Sequence, residues 1–253
     1  MRPLALITGA SRGIGRAVAR ALAPTHTLLL AGRDQPALAA LVAELGQGHA
    51  LTAELADAGD RDRLLSLVTG LCEQLGAPVQ VLVNNAGAAV SAPLHRTSDL
   101  AWAAALALNL EAPFALTRAL VPGMVKAGRG RVINIASTAA LKGYAYTAAY
   151  SASKAGLVGL TRALAVELAS KGVTVNAVCP GFTDTDIVAR AAENIQATTG
   201  RSQDDARQTL ARFSPQGRLR SPEEVAGLVA YLASPAADGI TGQALAIDGG
   251  ETA

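Results

Sequence analysis

The chain has 253 residues, of which half are apolar, 17% charged and only 3% aromatic. Half apolar excludes a disordered chain, and two cysteines are too few for a disulfide scaffold. A net charge of +2, carried without any basic run, gives no reason to expect a nucleic-acid partner.

From the N-terminus, short apolar runs alternate with longer helical patterns. Leu4–Ile7 reads as a strand with no signal peptide before it, followed by a glycine-rich turn and a helix over Ile14–Ala23. Strand Thr27–Leu30 leads to helix Pro36–Leu45, strand His49–Ala53 to helix Arg61–Leu75, and strand Val79–Val83 to a long helical stretch, Asp99–Lys126. Strand Val132–Ala136 precedes helix Thr147–Ser170. Strand Thr174–Cys179, helix Pro222–Leu232 and strand Ala244–Ile247 complete the series. The strand runs are short, mostly continuous, and bounded by Gly, Asn, Asp or Pro, as buried parallel strands are. Their alternation with helices predicts βαβ units, right-handed crossovers and one α/β domain whose sheet is covered on both faces.

Other features narrow the class. The most apolar stretch, Leu100 to Val121, contains Asn109, Glu111, Pro113 and Arg118, so it is not read as a membrane span. A cytoplasmic protein without membrane attachment is expected. Cys72 and Cys179 sit in apolar stretches and read as buried free thiols, and His26, His49 and His95 lack ligand spacing, so no metal site is expected. Between the strand ending at Pro180 and the helix near Pro222 lie about forty polar residues, more than an ordinary connection needs. This segment, about 182–221, has helical patterns around Ile187–Thr198 and Asp204–Arg212. It follows a strand's carboxyl end, where open α/β sheets bind ligands, so it reads as a substrate loop.

Two patterns carry chemistry. Thr8-Gly9-Ala10-Ser11-Arg12-Gly13-Ile14-Gly15 joins the first strand to the first helix. Such a turn lets backbone N–H groups approach a pyrophosphate at a helix N-terminus, although its G-x-x-x-G-x-G spacing is not the usual G-x-G-x-x-G. Tyr150 and Lys154 are four apart in a helical run and share a face. A neighbouring ammonium favours phenolate and so brings a phenol toward working pH. Ser137, just past a strand, is placed to hold a carbonyl oxygen.

The motif TGASRGIG, then Asn84-Asn85-Ala86-Gly87, Ser137, Tyr150-x-x-x-Lys154, Pro180-Gly181 and Asp248-Gly249-Gly250, resembles the short-chain dehydrogenase/reductases over the whole chain. The resemblance implies a Rossmann-like, doubly wound, seven-stranded sheet, a nicotinamide cofactor and a homotetramer. It puts Gly9, Ser11, Arg12, Gly13, Ile14 and Gly15 around the cofactor phosphates, and Asn85, Ala86 and Gly87 beside a ribose. The backbone of Pro180, Gly181 and Phe182 and the hydroxyl of Thr183 would lie beside the nicotinamide. Glu54-Leu55 stands where the family often has an Asp and an apolar residue against the adenine. Ser137, Tyr150 and Lys154 match the catalytic residues, with Asn109 as a fourth that supports a water-linked proton relay to the lysine. Tyr150 would protonate the carbonyl oxygen while Lys154 also binds the ribose.

Gly32 replaces the acidic residue that NAD-preferring members carry after the second strand. Arg33 and Arg12 suit a 2′-phosphate, so NADP(H) is expected, with NAD(H) left open because Asp34 could turn toward the ribose. Tyr144 and Tyr146 read as lining the substrate pocket. Enoyl-reducing members place six residues between Tyr and Lys, but Thr147 occupies that position, so carbonyl–alcohol chemistry is favoured. The stretches from Ala136 to Ala169 and from Val175 to Asp186 are most like the 3-oxoacyl thioester reductases and polyketide ketoreductases. Arg190, Arg201, Arg207, Arg212, Arg218 and Arg220 could meet coenzyme A phosphates or an acidic carrier protein. The expected activity is NADP(H)-dependent reduction of a 3-oxoacyl thioester or similar β-ketone, with Ser137, Tyr144 and Tyr150 at the substrate. NAD-dependent oxidation of a secondary alcohol or 3-hydroxyacyl-CoA, and catalytically silent dinucleotide sensing, are the alternatives.

Overall fold

The computed structural model describes residues 2–253. Among them, seven strands form one parallel sheet in the order β3-β2-β1-β4-β5-β6-β7. The strands are β1 (Leu4–Thr8), β2 (Thr27–Gly32), β3 (His49–Thr52), β4 (Val79–Asn84), β5 (Gly130–Ile135), β6 (Val173–Pro180) and β7 (Ala244–Ile247). Buried on both faces, the central strands divide their side chains between two cores. Ala5, Ile7, Leu28, Leu30, Val81 and Val83 enter one with α1 (Gly13–Leu22) and α9 (Pro222–Ala233). Leu6, Leu29, Leu82, Val132 and Val175 enter the other with α3 (Ala58–Leu75), α5 (Ala112–Lys126) and α6 (Ala148–Leu168).

Local capping sets several boundaries. Asp34 accepts from Ala37 N at 3.0 Å and starts α2 (Gln35–Leu45), while Asp57 accepts from Asp60 N at 2.8 Å. That second cap starts α3 at Ala58, three residues before the expected Arg61, because Asp57 satisfies an end the apolar pattern does not mark. Ser221 and Glu224 form a reciprocal capping box at α9.

The long helix Asp99–Lys126 is apolar and long enough to cross a membrane by composition, yet in the fold it covers the sheet. It is also not uniform: α4 (Asp99–Leu106) and α5 flank a π turn, Ala107–Glu111. The expected loop 182–221 carries α7 (Asp186–Thr199) and α8 (Gln203–Ala211), packed on each other through Val188, Ala192, Ala206 and Leu210. Its two ends are bridged, since Arg220 N donates to Phe182 O and Asp184 N to Arg220 O. Of the two cysteines expected to be buried, Cys179 is; Cys72 is only half-buried, near the C-terminal end of α3.

A buried amide ladder ties the sheet to the helices behind the site. Asn84 Nδ2 donates to Asn134 Oδ1 at 2.8 Å, Asn134 Nδ2 to Thr161 Oγ1 at 2.9 Å, and Thr161 Oγ1 to Leu157 O. Replacing Asn134 by alanine takes the acceptor from the Asn84 amide on one side and the donor from the Thr161 oxygen on the other. The Asn134→Ala chain should lose about 1–3 kcal/mol of stability in urea unfolding at matched protein concentration.

Candidate active site

In the order 3-2-1-4, the chain turns opposite ways from β1 and from β4, which opens a crevice at their carboxyl ends. The glycine turn fills one lip. Gly9 has φ +65°, and a Cβ on it would come within 2.9 Å of Ala86 Cα; a Cβ on Gly15 would overlap the Gly9 carbonyl. Both must therefore be glycine for the turn to lie this close to β4. The hydroxyl of Thr8 accepts from Asn85 N and Ala86 N, both at 3.0 Å, and Asn85 Nδ2 donates to Thr8 O at 2.8 Å. The Asn85 amide, expected beside a ribose, is thus occupied in holding the two lips together. At the start of α1, Arg12 is extended and makes no side-chain cap, and the first turn holds no acidic residue. The first N–H groups of that helix keep no intrahelical acceptor, a setting suited to phosphate.

The adenosine side shows how the arginines are held. Arg33 Nη1 pairs with Glu54 Oε2 at 3.3 Å, and Arg12 Nη1 with Asp186 Oδ2 at 2.9 Å, all four side chains being exposed. Asp34 is engaged as the cap of α2 rather than turned toward a ribose. Leu55, expected against an adenine, is buried in the core with Leu51 and Leu64.

At the other end of the crevice Ser137, Tyr150, Lys154 and Asn109 come together from β5, α6 and the π turn. Burial raises the Tyr150 phenol, and the neighbouring Ser137 hydroxyl works against that rise. The Lys154 ammonium stands 5.9 Å from the Tyr150 ring centroid and donates to Ile135 O at 2.7 Å. Burial outweighs the expected ammonium effect, and the phenol is raised rather than lowered. Lys154 itself is pushed down by burial to about 8. Cys179 beside it is raised to about 11, so the neighbouring thiol stays uncharged.

Asn109 is fully buried and its amide is used up: Nδ2 donates to Ala88 O at 3.0 Å and Ser153 Oγ at 3.1 Å, while Oδ1 accepts from Ala88 N. Its backbone carbonyl is different. Pro113, four residues on, has no N–H to give it, and the π turn shifts the neighbouring bonds by one residue, Ala112 N donating to Ala107 O. Gly87 packs against both Asn109 Oδ1 and Lys154 Nζ, with no room for a Cβ beside the amide.

The wall beyond Ser137 is aromatic. Tyr144, Phe182 and Phe213 meet with ring centroids 5.1–5.9 Å apart. Tyr144 is half-buried and hydrogen-bonded to Thr138 and Glu251, whereas Tyr146 is 63% exposed with φ +67°. Thr183 is buried and its hydroxyl donates to Gly181 O at 3.0 Å. Of the loop arginines, Arg207 pairs with Asp184 and Arg218 with Glu224 at the surface, while Arg220 is buried against Gln216 and Glu224. Glu251 and Phe213 belong to this wall although no sequence motif marks them.

A crevice at a topological switch point, a glycine turn on one lip and a Ser–Tyr–Lys group on the other define a dinucleotide-dependent oxidoreductase. The family model for short chain dehydrogenases matches residues 3–196. The 3-oxoacyl-[acyl-carrier-protein] reductase of Synechocystis is 42% identical, the match covering 98% of this chain and 96% of the relative. Nodulation protein G of Azospirillum brasilense is 39% identical over 98% of this chain and 97% of its own. The crystal structure of an actinorhodin polyketide ketoreductase with NADPH superposes with a TM-score of 0.93 at 36% identity, covering 99% and 97% of the two chains. The chain belongs to the short-chain dehydrogenase/reductase family.

The lysine's position has a measurable consequence. A pKa near 8 in the fold against 10.5 for the free side chain means that the folded state binds fewer protons between those values. Lys154 therefore contributes stability that increases as pH rises through this window and is absent below about 8. Comparing wild type with Lys154→Met cancels the other titrating groups. The stability difference should move in favour of wild type from pH 8 to 10, and a pH-independent difference in denaturant unfolding would contradict the geometry.

Proposed function

We propose that the chain is an NADP(H)-dependent reductase of 3-oxoacyl thioesters or similar β-ketones, a single catalytic domain with 182–221 as its substrate loop. The observation that carries this is the meeting of Ser137, Tyr150 and Lys154 at the end of the crevice whose other lip is the glycine turn. The Synechocystis relative is named for this substrate class, and the actinorhodin neighbour is described with NADPH. The residues suit that cofactor. Gly9 and Gly15 allow close backbone approach, Gly32 presents no carboxylate, and Arg12 and Arg33 carry exposed guanidiniums whose surface pairs can be exchanged for a phosphate. Asp34 is held at the start of α2 by the cap its Oδ1 makes, which supports NADP(H) over NAD(H).

When bound, the nicotinamide supplies the hydride for reduction and accepts it in the reverse direction. Ser137 holds the substrate oxygen with its hydroxyl and Tyr150 gives that oxygen a proton from Oη. A phenol kept neutral by burial is the proper form for a proton donor. Lys154, near neutrality at about 8, can replace the lost proton, and Asn109, set in the π turn, is placed to support a water on the path to it. The Asn109 side chain then serves as a positioning group, fixing the Gly87–Ala88 turn and Ser153.

Purified protein should oxidise NADPH in the presence of 3-oxobutanoyl-CoA, with a lower KM for NADPH than for NADH. Tyr150→Phe should lose roughly 10²–10⁴-fold in kcat while still binding NADPH by fluorescence titration. Turnover of simple ketones but of no thioester would reject the substrate class; an equal or lower KM for NADH would reject the cofactor assignment.

We also read the chain as a cytoplasmic homotetramer. What supports the assembly is the outer face of Asp99–Lys126 and α6, where Trp102, Phe114 and Val166 are exposed although the helices are apolar. Light scattering at micromolar concentration should give about four times the 25.6 kDa chain mass, and a monomer would refute it.

A further inference from the structure

The acid–base chemistry leaves one charged cluster in the site wall unused. Glu251 Oε1 takes Lys142 Nζ at 3.3 Å and the Tyr144 hydroxyl, and Lys142 also donates to the Glu251 carbonyl at 3.3 Å. The Glu251 side chain is 1% exposed, and its other oxygen, Oε2, has no hydrogen-bond partner among the described residues. The Lys142 side chain is 37% exposed, its ammonium 5.1 Å from the Tyr144 ring centroid and 5.9 Å from that of Phe213. Tyr144 is in turn bonded at 2.7 Å to Thr138, the residue after Ser137. An ion pair is thereby fixed one residue from the serine read as the carbonyl anchor.

The cluster is a buried ion pair. The Glu251 carboxylate is enclosed by the fold, so it depends on Lys142 remaining in place. The nearby Asp248 is already saturated by Gly250 N, Thr252 N and the Thr252 hydroxyl, which hold it below the usual carboxylate range. The pair is therefore close to neutral overall and is no anion trap. What it does present is a cation face that an alkyl chain can cover only by stripping its remaining water. A methylene entering an apolar pocket gains about four-fold in binding. Against this wall that gain is offset by desolvation of the ammonium.

We propose that Lys142 and Glu251 are specificity-determining residues: with Tyr144 and Phe213 they form a polar end wall that restricts the substrate to a short chain on the side of the ketone away from the thioester. The proposal rests on the ketone-reducing reading of the site given above. Removing only one partner would strand a charge, so the informative variant removes both.

The test compares wild type with the Lys142→Met, Glu251→Met double variant on two substrate pairs, 3-oxobutanoyl-CoA with 3-oxohexanoyl-CoA and ethyl 3-oxobutanoate with ethyl 3-oxohexanoate. Wild type should prefer the shorter member of each pair. In the double variant the ratio of kcat/KM should move toward the longer member by about fifteen-fold, the worth of two methylenes. A shift below about two-fold, in protein with wild-type circular dichroism and NADPH fluorescence, overturns the proposal. If that variant does not fold, Lys142→Met with Glu251→Gln keeps an acceptor for Tyr144 and is judged by the same ratio. Should no thioester be reduced by either protein, the substrate class fails, and the ester pair still decides the role of the wall.

Discussion

The junction between β1 and β4 must be open enough to admit a ligand and yet fixed to a fraction of an ångström. A parallel sheet that reverses its winding direction there leaves strand ends without neighbours to complete their hydrogen bonds. One threonine and one asparagine resolve this. The Thr8 hydroxyl takes two backbone N–H groups of the β4 turn, and the Asn85 amide returns to the backbone of Thr8 and Gly9. With the lips bonded, the glycine turn can lie against Ala86 only because Gly9 and Gly15 lack side chains. The position of α1, and with it the exposed N–H groups of its first turn, follows from that contact.

The same use of bonded side-chain amides runs toward the end of the crevice that holds Tyr150 and Lys154. Asn84, Asn134 and Thr161 pass a chain of bonds from β4 through β5 to α6, the helix that carries Tyr150 and Lys154. Asn109 closes the arrangement from the opposite helix by bonding the Gly87–Ala88 turn and Ser153 together. Buried amides of this kind are costly unless each donor is met, so they permit few alternative packings. The cost of the arrangement is local irregularity. Asn109 reaches the site from a π turn, where Pro113 withholds the N–H that a regular helix would supply.

What could be read from the sequence was whatever depends on backbone geometry or on short spacing. The glycine turn needs Gly9 and Gly15 for steric reasons, and Tyr150 and Lys154 share a face by helical periodicity, so both were legible. The doubly wound, seven-stranded sheet was implied by the resemblance to a family, and the two-core division follows from burial on both faces. Features set by tertiary meeting were not legible. Glu251 reaches Tyr144 across 107 residues of chain, and nothing in Gly249-Gly250-Glu251 announces a buried carboxylate. The Arg33–Glu54 pair joins the ends of two adjacent strands, so two residues assigned separate roles in the sequence are partners in the fold. The role of Asp34 was readable in principle, since Asp-Gln-Pro before an apolar run is a helix start, and the cap it makes removes it from the ribose.

Charge is distributed in the crevice according to what must be exchanged and what must stay. At the ends of β1 and β2 the ion pairs of Arg12 and Arg33 are exposed, and such pairs are worth about 0–1 kcal/mol, so their partners can be exchanged at little cost. At the substrate end the carboxylate of Glu251 is sealed from water, and no comparable exchange is open to it. A ligand arriving there has to accept the wall as it finds it. Lys154 lies between these extremes: buried enough to titrate near 8, and bonded to a backbone carbonyl rather than to a carboxylate that would fix its proton. An ion-paired lysine at that position would hold its charge too firmly to pass a proton on, so the absence of a carboxylate partner is what leaves the group usable for acid–base work.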